Sequence, residues 1–318
     1  MPNMSQLAAT ELPFVTYDVF TDTRFQGNPL AIVTIPHGQP KPSHHQLQKI
    51  AREFNLSETI FIHDVPDAAQ DKTRRVQIFL PDCEIALAGH PLIGAAVSLL
   101  DSDNAHQVHQ LMTRAGPVDL AKLSHRTVQA NIPHQVHLHS RQLRQTTLPS
   151  FHLQPDAQVC HAEAHAPVVD IVSGVTFILT PLASLDALSR VSLVGGTVNH
   201  HELLDQGHGP GLIGRCYYHV TGEHKDQDGT HVISIRSRIM VSAFEDPATG
   251  AAASCLASYL SAYKNKHHNS TRRYHITQGV EMGKESHIIV DVSTNGSNID
   301  KVKLAGTAVQ VMRGHLKL

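Results

Sequence analysis

The chain has no tryptophan and only four cysteines among its 318 residues. Cys83, Cys160, Cys216 and Cys255 form no Cys-x-x-Cys pair and have no zinc-like spacing, so we expect reduced thiols. The pattern GxxxxGKS is absent, which argues against that kind of nucleotide-binding loop, and the GxSxG elbow of many hydrolases is absent too. We therefore predict an activity that needs no cofactor.

Neither sign of charge predominates. The chain has 26 Lys and Arg against 28 Asp and Glu, a formal charge of −2, which offers no electrostatic footprint for nucleic acid or an anionic membrane. No apolar run approaches the ~20 residues of a membrane-spanning helix. The first residues lack the basic region and apolar stretch of a secretory signal. We expect a cytoplasmic protein without nucleic-acid or membrane partners.

Histidine is unusually abundant, with 25 residues. The histidines are scattered, however, and the HExxH pattern is missing. His137 and His139 alternate with apolar residues, which would put both on one face of a strand. We attribute the abundance of histidine to compositional drift on the protein surface and predict that the chain holds no metal.

Short runs rich in branched residues recur along the chain and predict strands. They cover residues 14–20, 30–35, 59–62, 75–80, 128–132, 175–179, 231–235, 287–292 and 302–312. Helical spacing of apolar residues predicts a helix over 45–54, and two more apolar helices are predicted over 93–100 and 250–263. No low-complexity linker divides the chain.

One short pattern occurs twice. Residues 91–96 and 247–252 both read Pro-x-x-Gly-Ala-Ala, and each copy follows a strand-like run and leads into a helix poor in charge. We infer that the chain contains two copies of one strand–turn–helix unit. The alternative is that a short pattern matches by chance. Free N–H groups at a helix start, together with the helix dipole, form a receptor for a carboxylate. Two such helix starts facing one cleft would bind a small anion from both sides.

Five segments resemble motifs of the phenazine-biosynthesis (PhzF-like) isomerase family, in the same order. They read FQGNPLAIV at 25–33, LSETIF at 56–61, AGHPLIG at 88–94, FEDPATG at 244–250 and QGVEMG at 278–283. The resemblance implies an α+β fold similar to diaminopimelate epimerase, with two pseudo-symmetric domains. Each domain would be a curled, mostly antiparallel sheet around a central buried helix. We place the domains at 1–125 and 126–318, with the last strand, near 309–316, returning to the first.

The resemblance assigns the catalytic role to Glu58. This carboxyl group lies among apolar residues, where burial disfavours its charge and raises its pKa, so it could move a proton to and from carbon. The alternative is an exposed residue at a helix end. His90 and Asp246, at the two turns, are implied to orient the substrate and assist the proton transfer. A neutral imidazole bonded to backbone is the alternative for His90, and helix capping is the alternative for Asp246.

Further residues of these motifs are implied to bind the substrate. For Asn28 we favour shaping of its turn over direct contact with the substrate. The others are Gly89, Thr249, Gly250, Ala251 and Gly279. Ala251 departs from the family, whose members often have serine there, so the substrate could differ from the phenazine precursor. Thiol racemases of the wider fold use a pair of cysteines at the two turns. The corresponding positions here are Ala88 and the Asp246 turn, and neither has a cysteine, which excludes racemisation by a pair of thiols.

The resulting prediction is a cofactor-independent isomerase that shifts a proton on a small carboxylate-bearing metabolite, acting as a homodimer. The alternative from another class is a ligand-binding or regulatory protein that kept the fold and lost catalysis. A serine or cysteine hydrolase finds no support in the motifs.

Overall fold

The computed structural model describes residues 11–101, 108–148, 152–195, 199–209, 211–241, 244–264, 269–296 and 298–318. The strands are β1 (Glu11–Val19), β2 (Asn28–Ile35), β3 (Thr59–His63), β4 (Thr73–Phe79), β5 (Glu84–Ile85), β6 (Gln110–Thr113), β7 (Gly116–Ser124), β8 (Thr127–Asn131), β9 (His137–Leu138), β10 (Val168–Val172), β11 (Val175–Pro181), β12 (Leu212–Lys225), β13 (His231–Val241), β14 (Phe244–Asp246), β15 (Thr271–Gln278), β16 (Ser286–Asn295) and β17 (Asn298–Lys317).

The helices are α1 (His44–Phe54), α2 (Gly89–Leu100), α3 (Ala157–Ala164), α4 (Leu185–Ser189), α5 (His200–Leu203) and α6 (Gly250–Tyr259). A π-helical turn, Leu260–Lys264, extends α6, and 3₁₀ turns lie at Leu143–Gln145 and Val280–Met282. Within the described ranges no helix has the length and apolarity needed to cross a bilayer.

Helix α1 matches its prediction except that it starts one residue earlier. Ser43 and Gln46 form a capping box, each side chain accepting from the backbone N–H of the other. Leu47 and Ile50 bury the apolar face of the helix. Asn55 ends it in a left-handed conformation, with φ of 50°, which turns the chain towards β3. The short connection between α1 and β3 contains Glu58.

Eight strands form a closed ring of pairings. Proceeding from β17, the ring passes through β1, β2, β3, β4, β6, β7 and β8 and returns to β17. Most of these pairs are antiparallel, but β2–β3 and β4–β6 are parallel, so the sheet is mixed. Helix α2 packs against five of these strands, and nine of its twelve residues are buried. The alanine- and glycine-rich sequence of α2 suits this enclosed position.

The remaining large strands extend from the other side of β17. The order of pairing is β17, β16, β15, β13, β12, β11, β10 and β9, with parallel pairs at β13–β15 and β11–β12. Helix α6 packs against β10, β11, β16 and β17. The final part of β17 pairs antiparallel with β1, from Ala308 opposite Val19 to Lys317 opposite Glu11. Strand β17 therefore belongs to both sets of strands.

The pairing and the core do not separate into two units. All seventeen strands belong to one connected network, and one hydrophobic cluster contains residues of both α2 and α6. Residue 125 lies in the turn between β7 and β8, which pair with each other. The division into domains 1–125 and 126–318 therefore remains a prediction.

The repeated Pro-x-x-Gly-Ala-Ala pattern does not mark equivalent positions. Pro91 is the third residue of α2, whereas Pro247 precedes α6 by three residues. Helix α2 also begins four residues earlier than predicted, because proline fits a first helical turn, where its missing N–H has no partner to lose. The two helix starts correspond through Gly89 and Gly250, so the register inferred from the repeat is wrong.

Candidate active site

Glu58 lies at the entry to one of the most buried strands. The next five residues form β3, which is buried along its whole length between β2 and β4. The Glu58 side chain is 16% exposed, so it is not the freely exposed helix-end residue of the alternative reading. Burial raises the pKa of Glu58 to about 7, although a hydrogen bond with Ser57 opposes the rise. Near neutral pH this carboxyl group can both accept and release a proton.

His90 lies beside Glu58. It is the second residue of α2, is 4% exposed, and places Nδ1 3.7 Å from Oε2 of Glu58. Burial lowers the pKa of His90 to about 4, although the nearby Asp246 carboxylate opposes this shift, so the imidazole is neutral at pH 7. The buried Nε2 atom makes no hydrogen bond within the described part of the chain.

Asp246 completes a group of three titratable side chains. It ends β14, and its pKa is raised to about 7 by burial and then by the negative charge of Glu58. Its Oδ1 accepts a 2.9 Å hydrogen bond from Asn28, and its Oδ2 accepts a 2.5 Å bond from the Thr249 hydroxyl. The N-cap of α6 is Thr249, so the capping alternative for Asp246 is wrong.

Asn28 links the segment that contains Glu58 to the turn that contains Asp246. Its Nδ2 donates to Asp246 Oδ1 and to the Ala248 carbonyl, both at 2.9 Å, and its Oδ1 accepts from the Ser57 hydroxyl at 3.4 Å. Asn28 is 1% exposed. Because both amide hydrogens are used inside the protein, the structure favours a positioning role for Asn28 over contact with a substrate.

The starts of α2 and α6 meet glycine to glycine. A Cβ atom on Gly89 would lie 3.0 Å from Gly250 Cα, and one on Gly250 would lie 3.1 Å from Gly89 Cα. Only glycine permits two helices to approach this closely. The N-cap residues Ala88 and Thr249 make no side-chain capping bond, so cap side chains do not occupy the first N–H groups. The N-termini of α2 and α6 thus converge beside Glu58, His90 and Asp246.

A mostly apolar, partly open cavity adjoins this contact. Its lining includes Gly89, Gly250 and Ala251 of the predicted substrate-binding set. Glu58, His90 and Asp246 are not part of that lining. The cavity therefore lies next to the three titratable side chains and does not contain them.

Sequence reasoning gave no role to Gln278, which supports the Asp246 turn. This 1% exposed side chain donates from Nε2 to the Asp246 carbonyl at 2.7 Å and to Thr249 Oγ1 at 3.1 Å. Its Oε1 accepts from the Thr249 backbone N–H at 3.1 Å. Gly279 has φ of 77°, and a Cβ there would lie 2.6 Å from the Pro247 carbonyl oxygen. Gly279 thus contacts the back of the same turn, and the signal available in the sequence was the glutamine that begins the last motif.

The family model described as phenazine biosynthesis-like protein (PhzC-PhzF) matches residues 17–314. The chain belongs to this family. An uncharacterized isomerase of Mesorhizobium japonicum is 30% identical to it over 95% of this chain and 98% of the relative. A trans-2,3-dihydro-3-hydroxyanthranilate isomerase of Pseudomonas aeruginosa is 28% identical over 96% of this chain and 99% of the relative.

Solved structures show the same fold. The PhzF-family protein of Bacillus anthracis superposes with a TM-score of 0.68 at 20% identity, covering 97% of this chain and all of that chain (100%). A hydroxyproline epimerase of Agrobacterium vitis superposes with a TM-score of 0.56 at 13% identity, covering 97% and 93%. The predicted family and the prediction of an isomerase are confirmed.

Proposed function

We propose that Glu58 is the general acid and base of a proton shift on a small carboxylate-bearing metabolite. The observation that carries this proposal is the Glu58 carboxyl group, largely buried, with a pKa near 7 and 3.7 Å from a neutral histidine. A carboxyl group in this state suits proton exchange with carbon better than an ordinary surface glutamate, because the best catalytic pKa lies near the working pH.

The reaction balances without an added reactant. The Glu58 carboxylate removes a proton from a carbon next to an unsaturated or carbonyl group, and the electron pair of that C–H bond delocalises into the group. The resulting Glu58 carboxylic acid then returns the proton to a second carbon. Substrate and product have the same atoms and oxidation level, so a redox cofactor has no part in this scheme.

Asp246 and His90 support the same step. Carboxyl groups in one buried site disfavour each other's charge, and the charge of Glu58 helps to raise the pKa of Asp246 to about 7. The unpartnered Nε2 of His90 is available for a substrate oxygen or nitrogen. First-turn N–H groups of α2 and α6 would hold the substrate carboxylate and stabilise the anion formed on deprotonation.

For the substrate we propose a relative of trans-2,3-dihydro-3-hydroxyanthranilate, the compound named for the Pseudomonas relatives. Ala251 lines the cavity where many family members have a serine hydroxyl. Compared with a substrate bound to a family member that has this serine, a substrate bound here would make one hydrogen bond fewer at Ala251 or present an apolar group to it. The mostly apolar cavity wall agrees with such a ligand.

The predicted two-domain arrangement, homodimer, cytoplasmic location and independence of cofactors belong to this proposal. The two sets of strands, one packed on α2 and one on α6 and joined through β17, support two pseudo-symmetric halves. The isomerase relatives do not favour the alternative of a binding protein without catalysis.

The proposal is tested by turnover of trans-2,3-dihydro-3-hydroxyanthranilate, followed by proton NMR. Wild type is expected to isomerise it, and Glu58→Gln to lose about 10²–10⁴-fold in kcat. Glu53→Gln, a change at an exposed position of α1, serves as the matched control and is expected to match wild type. Equal rates for wild type and Glu58→Gln would remove Glu58 from the mechanism. Absence of turnover in wild type would exclude this compound and require a relative of it that differs at the group facing Ala251.

A further inference from the structure

Three histidines form a cluster outside the site described above. His137 and His139 lie at and just after β9, and His208 lies in the segment after α5. The ring centroids are 4.2 to 4.8 Å apart, and one potential ligand atom from each ring lies within 4.8 Å of the other two. In the described ranges no other group of three or more His, Cys, Asp or Glu side chains is close enough to hold a metal ion.

Each histidine is held by a carboxylate through one ring nitrogen. Nε2 of His139 and Nδ1 of His208 lie 2.9 and 2.7 Å from the two carboxylate oxygens of Asp170. Nε2 of His137 lies 2.8 Å from Asp205 Oδ2. Metal-binding histidines usually donate their second N–H to a carboxylate, which fixes the tautomer and orients the ring. All three rings have this support.

The carboxylate contacts determine which nitrogen is free to bind a metal. An ionised carboxylate only accepts, so the nitrogen facing it carries the hydrogen, and the other nitrogen of a neutral ring has a lone pair. Nδ1 of His139 accepts the Asp205 backbone N–H at 3.1 Å, which agrees with this assignment. Nδ1 of His137 and Nε2 of His208 make no hydrogen bond to the residues described. We propose that His137, His139 and His208 form a site for a divalent transition-metal ion such as Zn²⁺ or Ni²⁺.

The site needs a small contraction to bind an ion. Zn–N bonds of about 2.0–2.1 Å in a tetrahedral site put two ligand nitrogens roughly 3.3 Å apart. One nitrogen of each ring lies within 4.8 Å of one nitrogen of the other two, so the free nitrogens must move towards one point to bind an ion. His139 is fully buried and fixed, whereas the side chains of His137 and His208 are 38% and 24% exposed and can move. Their rings are stacked at 23°, so one must rotate to aim at the ion, and the Asp205 N–H bond to His139 must lengthen.

Metal binding at this place would connect distant parts of the chain. The ligands and their carboxylates come from β9, β10 and the segment after α5, which are 31 to 68 residues apart in sequence. Three protein ligands leave further coordination positions to water. Because the unfolded chain has no preformed site, binding should stabilise the fold and raise its melting temperature.

The test uses the full, untagged chain stripped of metal with a chelator. Titration with ZnCl₂ and NiCl₂ by calorimetry, with the metal content measured after gel filtration, should show one tightly bound ion per chain and an increase in Tm. His137→Ala and His208→Ala should each lower the affinity at least about tenfold. Bound Co²⁺ should give a visible absorption spectrum in wild type that is lost in both variants.

Controls are needed because the chain has 25 histidines. His125→Ala and His287→Ala remove exposed histidines that pair with a carboxylate but lie outside the cluster, and they should bind metal as wild type does. The proposal is overturned if stripped wild type binds neither ion. It is equally overturned if the cluster variants retain wild-type affinity, because the metal would then occupy surface histidines elsewhere.

Discussion

Glu58→Gln is expected to stabilise the protein at high pH while lowering kcat of the proposed reaction about 10²–10⁴-fold. The folded-state pKa of Glu58, about 7, lies above the ordinary value of 4.5 because burial disfavours the charged form. The native state therefore prefers protonated Glu58. The contribution of protonated Glu58 to the free energy of unfolding is fully present below about pH 4.5 and is lost as the pH rises through about 7. Glutamine mimics the protonated form at every pH and avoids this loss.

The size of the effect follows from the two pKa values. A rise from 4.5 to about 7 corresponds to about 3 kcal/mol of lost stability once the group is fully ionised. Between pH 5 and pH 8 the advantage of Glu58→Gln over wild type should grow by about 2 kcal/mol. Loss of the Glu58 charge also removes its repulsion of the Asp246 carboxylate, which adds to this growth.

Urea unfolding at pH 5 and pH 8, at one protein concentration, measures this difference. Circular dichroism is the suitable signal because the chain has no tryptophan. Wild type, Glu58→Gln and the exposed control Glu53→Gln are compared, with equal m-values as the condition for comparing free energies. An advantage of Glu58→Gln that stays constant or shrinks between the two pH values would refute the raised pKa.

Two further predictions concern the turns. Gly250→Ala should destabilise the protein by about 1–3 kcal/mol in urea unfolding, because its Cβ would lie 2.8 Å from Leu304 Cδ2 and 3.1 Å from Gly89 Cα. The control Gly222→Ala, with open space around its Cβ, should have little effect. Equal losses of stability in the two variants would contradict the close helix contact. Gln278→Leu should cost about 1–3 kcal/mol, because it leaves the Asp246 carbonyl and the Thr249 N–H without their partner, and a neutral result would show that water replaces it.

The sequence predicted secondary structure well where local signals were strong. Helix α1 has regular apolar spacing and a capping box, and its prediction differs from the structure by one residue. The predictions omitted strands β7, β10, β12 and β15 and also the short strands β5, β6 and β14. The second half of β12 is exposed and polar, so it lacks the apolar alternation that indicates a strand. Strand β10 is buried, but it is short and contains Asp170, whose partners come from other segments.

The residues of the candidate site could be predicted from motifs, but the contacts between them could not. Glu58, His90 and Asp246 each lie in a motif, and the structure brings them together. The contact between Asn28 and Asp246 joins residues 218 positions apart, and nothing in either segment indicates the other. The histidine cluster shows the same limit: the sequence puts His137 and His139 on one face, but only the fold adds His208.

The most direct test of the account follows the proton itself. Trans-2,3-dihydro-3-hydroxyanthranilate is incubated in D₂O with wild type, Glu58→Gln and Glu53→Gln, and mass spectrometry with proton NMR locates any deuterium in substrate and product. We expect deuterium from solvent at a carbon position with wild type and Glu53→Gln, because the ionisable Glu58 carboxyl group exchanges with water. We expect none with Glu58→Gln. Equal deuterium incorporation by Glu58→Gln and wild type would contradict the claim that Glu58 carries the proton.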